Sequence, residues 1–217
     1  MDKEIKNAFS HVLWIGGATD SGKSTIAQMI AEKYSFQVYH YDRHDLKQIE
    51  QLAITSPHYQ AVLTASLDER WVQPEPEELL RFVLRSFQDR FPLVLDDLLA
   101  MPRATKIVAE GFGFTPDLLA PLLVDKHQAV WLVASEAFKR ASMARRNKPS
   151  FQAQTSDPER AAANVLRRDM LLAEYITAQV RAHDLTLFEV DGSQTVEVIA
   201  ARIEAHFASF LPPTEAR

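Results

Sequence analysis

Residues 16–25 read GGATDSGKST. From Gly17 to Ser24 they set four residues between two glycines and follow the second with a lysine and a hydroxyl. That spacing suits a polyphosphate. Glycines let the backbone curl until successive N–H groups point at one anion. A helix opening near Gly22 adds roughly half a positive charge at its N-terminus. Lys23 adds a full charge that can follow the β- and γ-phosphates of a nucleotide. The Ser24 hydroxyl is an oxygen ligand of the kind Mg²⁺ takes. Gly17, Ala18, Thr19, Asp20, Ser21, Gly22, Lys23, Ser24 and Thr25 are therefore the expected ATP-binding set. Asp20 is adverse inside an anion loop, so it must face solvent or pair with a base elsewhere.

Further chemistry is spread along the chain. Asp42 follows a short alternating run, where a carboxylate can orient an acceptor hydroxyl and take its proton. A plain cap or turn residue is the alternative, and Asp45 is a nearby rival. Glu110 follows an apolar run and precedes a glycine. Arg140, Arg145 and Arg146 lie in SEAFKRASMARRNKPSF, a cluster that either serves a phosphate or forms a solvated basic face. Arg167 and Arg168 face either that cluster or water. His40 and His44 are four apart, but no third ligand accompanies them, so a zinc site is not expected. Trp71 and Phe82 either line an acceptor pocket or fill a core.

The elements that must carry these residues alternate. Apolar runs at 11–15, 36–39, 106–109, 129–134 and 185–190 predict five strands. Helices are predicted at 22–34, after Thr115-Pro116, after Ser135, from a capping box at 156–159 to about 183, and at 196–210. The segment 44–103 reads as helical. Within it Pro92 is expected to open a short helix, leaving Asp96 and Asp97 in solvent. Strands alternating with helices imply an α/β fold, a three-layer arrangement around a five-stranded parallel sheet. Ligands of such sheets bind beyond the carboxyl ends of the strands. Gly17, Asp42, Glu110 and Ser135 all fall at those ends.

The order of these features is that of a known family. A glycine loop, an aspartate after strand two, Glu110-Gly111 after strand three, an arginine-rich helix after strand four and Asp191-Gly192-Ser193 after strand five resemble the P-loop small-molecule kinases. IVAEGFGFTPDLL (107–119) and QTSDPERAAANVLRRDMLLAEYI (154–176) resemble an uncharacterised branch likened to chloramphenicol phosphotransferase and 2-phosphoglycerate kinase. The resemblance implies a single P-loop NTPase domain over 1–217, with 44–103 as an acceptor-binding insertion and 135–168 as an arginine-rich lid. It makes Asp42 the catalytic carboxylate and Glu110 a magnesium residue acting through water. Residues 191–193 would wrap the adenine. Arg140, Arg145 and Arg146 would close on the transferring phosphate, with Lys23 beneath it.

The chain as a whole bounds these readings. Its 217 residues suffice for one large core, and it contains no cysteine, which excludes disulfides and thiolate metal sites. A net charge of −5 argues against nucleic acid as partner. The first residues lack the apolar stretch of a signal peptide, and no run spans a membrane, so a cytoplasmic protein is expected. The expected activity is ATP–Mg²⁺-dependent transfer to a small hydroxyl- or phosphate-bearing acceptor. A nucleotide-binding switch or NTPase with a protein partner is the alternative. The oligomeric state is left open, a homodimer included.

Overall fold

A computed structural model describes residues 3–145 and 151–213. In chain order the elements are α1 (Lys3–Ala8), β1 (Val12–Gly17), α2 (Lys23–Tyr34), β2 (Gln37–His40), α3 (Asp45–Ala53), α4 (Pro57–Thr64), α5 (Leu67–Trp71) and α6 (Pro76–Ala100). They continue with β3 (Ile107–Glu110), α7 (Pro116–Leu119), β4 (Ala129–Ala134), α8 (Glu136–Arg145), α9 (Pro158–Ala182), β5 (Leu187–Val190) and α10 (Val196–His206). The five strands form one sheet in the order β2-β3-β1-β4-β5. Every neighbouring pair is parallel.

The central strands are buried on both faces, which is why they read as unbroken apolar runs. Along β1, Val12 and Trp14 enter one core and Leu13 and Ile15 the other. The first core lies beneath α6 and α9, with Val83, Phe87, Leu172 and Ile176 as members. The second lies beneath α2 and α10, with Ile26, Ile30, Ile199 and Ile203. Helix, sheet and helix thus form three layers, and all five strands end on the same edge.

Helix α6 departs from the sequence expectation. Pro92 stands inside a single helix of 25 residues and opens no new one. The buried stripe Val83, Phe87, Arg90, Val94 and Leu98 crosses the proline without a break in spacing. Burial of that stripe outweighs the one backbone hydrogen bond that proline cannot donate. Asp96 is exposed as expected, but Asp97 is not left to solvent. It accepts from Gln48 Nε2 at 2.8 Å and Tyr39 Oη at 3.3 Å, and His44 lies 3.3 Å away. The cap of α9 also shifts by one residue: Asp157 accepts the Arg160 N–H at 3.0 Å.

Candidate active site

The glycine loop leaves β1 at Gly17 and enters α2 at Lys23. Gly17 has φ of 127° and lies so close to β4 that a Cβ there would meet the Leu132 carbonyl oxygen at 2.0 Å. No side chain fits that space. The Ala18 N–H donates to the same carbonyl at 2.9 Å, which fixes where the loop begins. Lys23 folds back across the loop and donates to the Ala18 carbonyl at 2.5 Å, with Ser21 Oγ at 3.4 Å. Only 7% of Lys23 is exposed, and burial pulls its ammonium down to about 8, against the opposing pull of Glu110 and Asp42. A cation held in this state gains when an anion arrives.

Two carboxylates face the lysine from neighbouring strands. Glu110 ends β3 and is paired in register with Ile15 of β1 and His40 of β2. It is 3% exposed, and its Oε1 is hydrogen-bonded to His40 Nδ1 at 2.7 Å. Asp42 lies in the tight turn Tyr41–His44 after β2. Burial raises its carboxyl above the usual range, partly offset by Lys23 and reinforced by Glu110. That turn is pinned from below by Arg90 of α6, which is 1% exposed. Arg90 stacks 4.1 Å above the Tyr41 ring, donates to Gln48 Oε1 at 3.0 Å and pairs with Asp45. Gly113 lets the loop after β3 pass over the same ring, where a Cβ would meet Tyr41 at 2.1 Å. Asp45 is therefore committed to Arg90, while Asp42 is turned to the cavity beside the glycine loop.

The other flank of the loop is held by an ion cluster that the sequence hid. Lys139 of α8 is 2% exposed and donates to Thr19 Oγ1 at 2.5 Å and Asp20 Oδ2 at 2.9 Å. Its Nζ also lies 2.7 Å from Asp169 Oδ2 of α9, which accepts the Thr19 hydroxyl at 2.7 Å. Arg168 Nε in turn sits 2.7 Å from Asp169 Oδ1. The base that Asp20 required is Lys139. Asp20 itself has φ of 65°, so the loop is bent where this cluster grips it.

A cavity of about 790 Å³ opens over the loop, walled by Asp42, Glu110, Phe112, Phe151, Arg168 and Asp169 among others. Arg140 and Arg145 are not part of its wall. Arg140 pairs with Glu136 at 2.6 Å on the exposed face of α8. Arg145 donates to the Ala141 carbonyl at 3.2 Å and lies 5.9 Å from the Phe138 ring. Arg146 lies outside the described residues. Among the described residues, the arginine that lines the cavity is Arg168. Residues 191–193 form a turn in which Asp191 Oδ1 accepts from the Ser193 N–H at 2.8 Å and hydroxyl at 2.6 Å. A second cavity of about 630 Å³, bounded by α3 to α6, adjoins the first and shares Phe112 and Arg168 with it. Trp71 and Phe82 both line this second cavity.

The donor set fits a magnesium ion. Ser24 Oγ, Asp42 and Glu110 line the loop cavity and offer only oxygen. Among the described residues, no three His, Asp or Glu side chains form a cage that could hold a metal by themselves. Magnesium suits such a site, because it keeps waters and takes substrate phosphate oxygens beside one or two protein oxygens.

No protein-family model and no curated protein sequence matches the chain. Solved structures similar in outline include a sugar kinase from Janibacter sp., at 15% identity and TM-score 0.45 over 95% of this chain and 98% of that one. A gluconokinase from Sinorhizobium meliloti 1021 aligns at 15% identity and TM-score 0.45 over 94% of each chain. Shikimate kinase from Aquifex aeolicus vf5 aligns at 14% identity and TM-score 0.46, over 91% of this chain and 96% of its own. The functional reading therefore rests on the residues of the site. Among the described residues, no helix is long and apolar enough to cross a membrane.

Proposed function

We propose that the chain is an ATP–Mg²⁺-dependent phosphotransferase acting on a small acceptor. One observation carries the reading. A buried lysine in a glycine loop at the end of β1 lies opposite two strand-end carboxylates, in a cavity that continues into a second one. A switch or NTPase needs the first cavity; a kinase needs both.

In this reading the loop N–H groups and Lys23 hold the β- and γ-phosphates. Bound magnesium, held by Ser24 and through water by Glu110, supplies positive charge to the same phosphate oxygens. Asp42 orients the acceptor oxygen and receives its proton. That oxygen bonds to the γ-phosphorus, the bond from phosphorus to the β–γ bridging oxygen breaks, and its electron pair leaves on ADP. Arg168 places a guanidinium where the two cavities meet. Arg140, Arg145 and Arg146 belong to the segment 135–168, which we assign as the lid, and Lys139 of α8 ties that segment to the glycine loop. The segment 44–103 forms the acceptor wall, residues 191–193 hold the adenine, and the enzyme works in the cytoplasm.

Calorimetry with ATP and magnesium tests the first half, and ADP release with and without acceptor tests the second. Binding followed by acceptor-stimulated release is expected. No heat from folded protein would refute nucleotide binding. Rapid hydrolysis that no acceptor stimulates would move the protein to the switch class.

A further inference from the structure

The second cavity has a chemical character of its own. Its walls carry Trp71, Phe82, Phe87 and Phe112, and aliphatic side chains from α3, α4 and α6 fill the gaps. Phe87 and Phe112 meet edge to face with centroids 5.0 Å apart. The buried charges on this wall are already used. Arg90 is paired with Asp45, and Arg168 with Asp169. Glu69 caps the start of α5, and Glu78 caps that of α6. Gln73 and Arg70 stand at the exposed rim; deeper in the cavity the polar atoms that remain are few, since the buried His58 Nε2 has no hydrogen-bond partner and Ser86 is 6% exposed. A volume of about 630 Å³ is that of a site for a metabolite-sized molecule.

On the phosphotransferase reading above, we infer that the acceptor is a neutral alcohol with an aromatic body. The body lies among Trp71, Phe82 and Phe87, and the hydroxyl passes Phe112 toward Asp42. A sugar acid or a phosphorylated acceptor would bring an anion to a wall whose buried arginines are paired, which costs several kcal/mol unless a new partner appears. A polyol would find too few hydrogen-bonding groups to replace its water. An aromatic body gains by leaving water, and a single polar atom such as His58 Nε2 suffices to fix its orientation.

The cavity has an internal reporter. Trp14 and Trp131 are fully buried in the core, so Trp71 is the tryptophan that a cavity ligand meets. Phenethyl alcohol, tyrosol and naphthaleneethanol would be titrated against the protein with the nonhydrolysable ATP analogue and magnesium, beside gluconate, shikimate and glucose. Intrinsic fluorescence and, with ATP, ADP release are the readouts. The aromatic alcohols should change the fluorescence and stimulate release, and the polar set should do neither. Ala65→Trp, which fills the cavity, should raise the aromatic KM by about tenfold or more while leaving the ATP–magnesium thermal shift intact. Val62→Glu is a second block should the first fail to fold. The inference is overturned if gluconate, shikimate or glucose gives the higher kcat/KM, or if none of the aromatic alcohols acts up to its solubility. Failure of ATP to bind would instead refute the phosphotransferase reading, with the fluorescence titration still testing the cavity.

Discussion

Replacing Lys23 by methionine should make the protein more stable and useless for nucleotide at once. The side chain keeps its length and loses its charge. Folding pulls the ammonium from 10.5 to about 8, so a charged Lys23 is a liability to the free protein at neutral pH. At about 1.4 kcal/mol per pH unit that liability is ~3 kcal/mol. Loss of the hydrogen bond to the Ala18 carbonyl returns about 1 kcal/mol. A net gain of ~2 kcal/mol should raise Tm by roughly 4–8 °C in a domain of this size. The pH dependence carries the sign. Between about 8 and 10.5 the unfolded lysine binds a proton that the folded one does not, so wild-type stability rises with pH across that window. The advantage of Lys23→Met is therefore full below about 8 and gone by 10.5. Scanning calorimetry with and without ATP–magnesium measures both halves. Wild type should gain about 2.7 kcal/mol at a hundred times Kd, and the variant should gain nothing. A variant that melts at or below the wild-type temperature and still responds to nucleotide would refute the reasoning.

Two further substitutions probe the flanks of the loop. Asp42→Asn should cut acceptor-stimulated turnover by about 10²- to 10⁴-fold while ATP affinity, read by calorimetry, stays put. Because folding raises the Asp42 carboxyl above 3.8, its contribution to stability is best below that pH and is lost as pH rises through the folded value. The asparagine variant should thus outlast wild type in urea at neutral pH and lose that advantage in acid, and an acid limb of wild-type kcat/KM should lie above the ordinary carboxylate range. Lys139→Met should cost about 3 kcal/mol or more in urea denaturation, since it strips a cation from buried Asp20 and Asp169. Adding Asp169→Asn should recover much of that loss; a single-variant cost under about 1 kcal/mol would dismiss the cluster as a structural tie.

The parts of the site that were legible in the sequence are those whose chemistry depends on near neighbours. Gly17 through Ser24 need one another at fixed spacing, so a linear pattern reveals them. Asp42 and Glu110 are visible because a strand end is a local event, and a parallel sheet brings strand ends together without further instruction. Lys139 and Asp169 had no such local mark. They are 30 residues apart along the chain, each inside a stretch quoted for other residues, and only the packing of α8 and α9 against the loop makes them neighbours. One signal did point to them, the misplaced charge of Asp20, which demanded a base without naming it. Arg90 was hidden in another way. It occupies an apolar position of the α6 stripe, where periodicity counts a residue as core without asking what it is.

That distinction explains how the loop is prepared for its ligand. An anion cradle free of anion gathers positive charge and N–H dipoles, and such a loop tends to open. Here Thr19 and Asp20 are tied outward to Lys139 and Asp169, while Lys23 is tied inward to the Ala18 carbonyl. The outer tie joins α8 and α9 to the loop from one side, and Arg90 ties the Asp42 turn to α6 from the other. The outer tie is a buried ion pair, of the kind that contributes little net stability but is costly to break singly, while the other sets a buried Arg90 against a half-exposed Asp45. Their effect is geometric: on the proposed reading, a nucleotide arriving at the loop would find the cradle, the carboxylates and the second cavity already in register. Binding energy that would otherwise go into ordering the site is then left for the transferring phosphate.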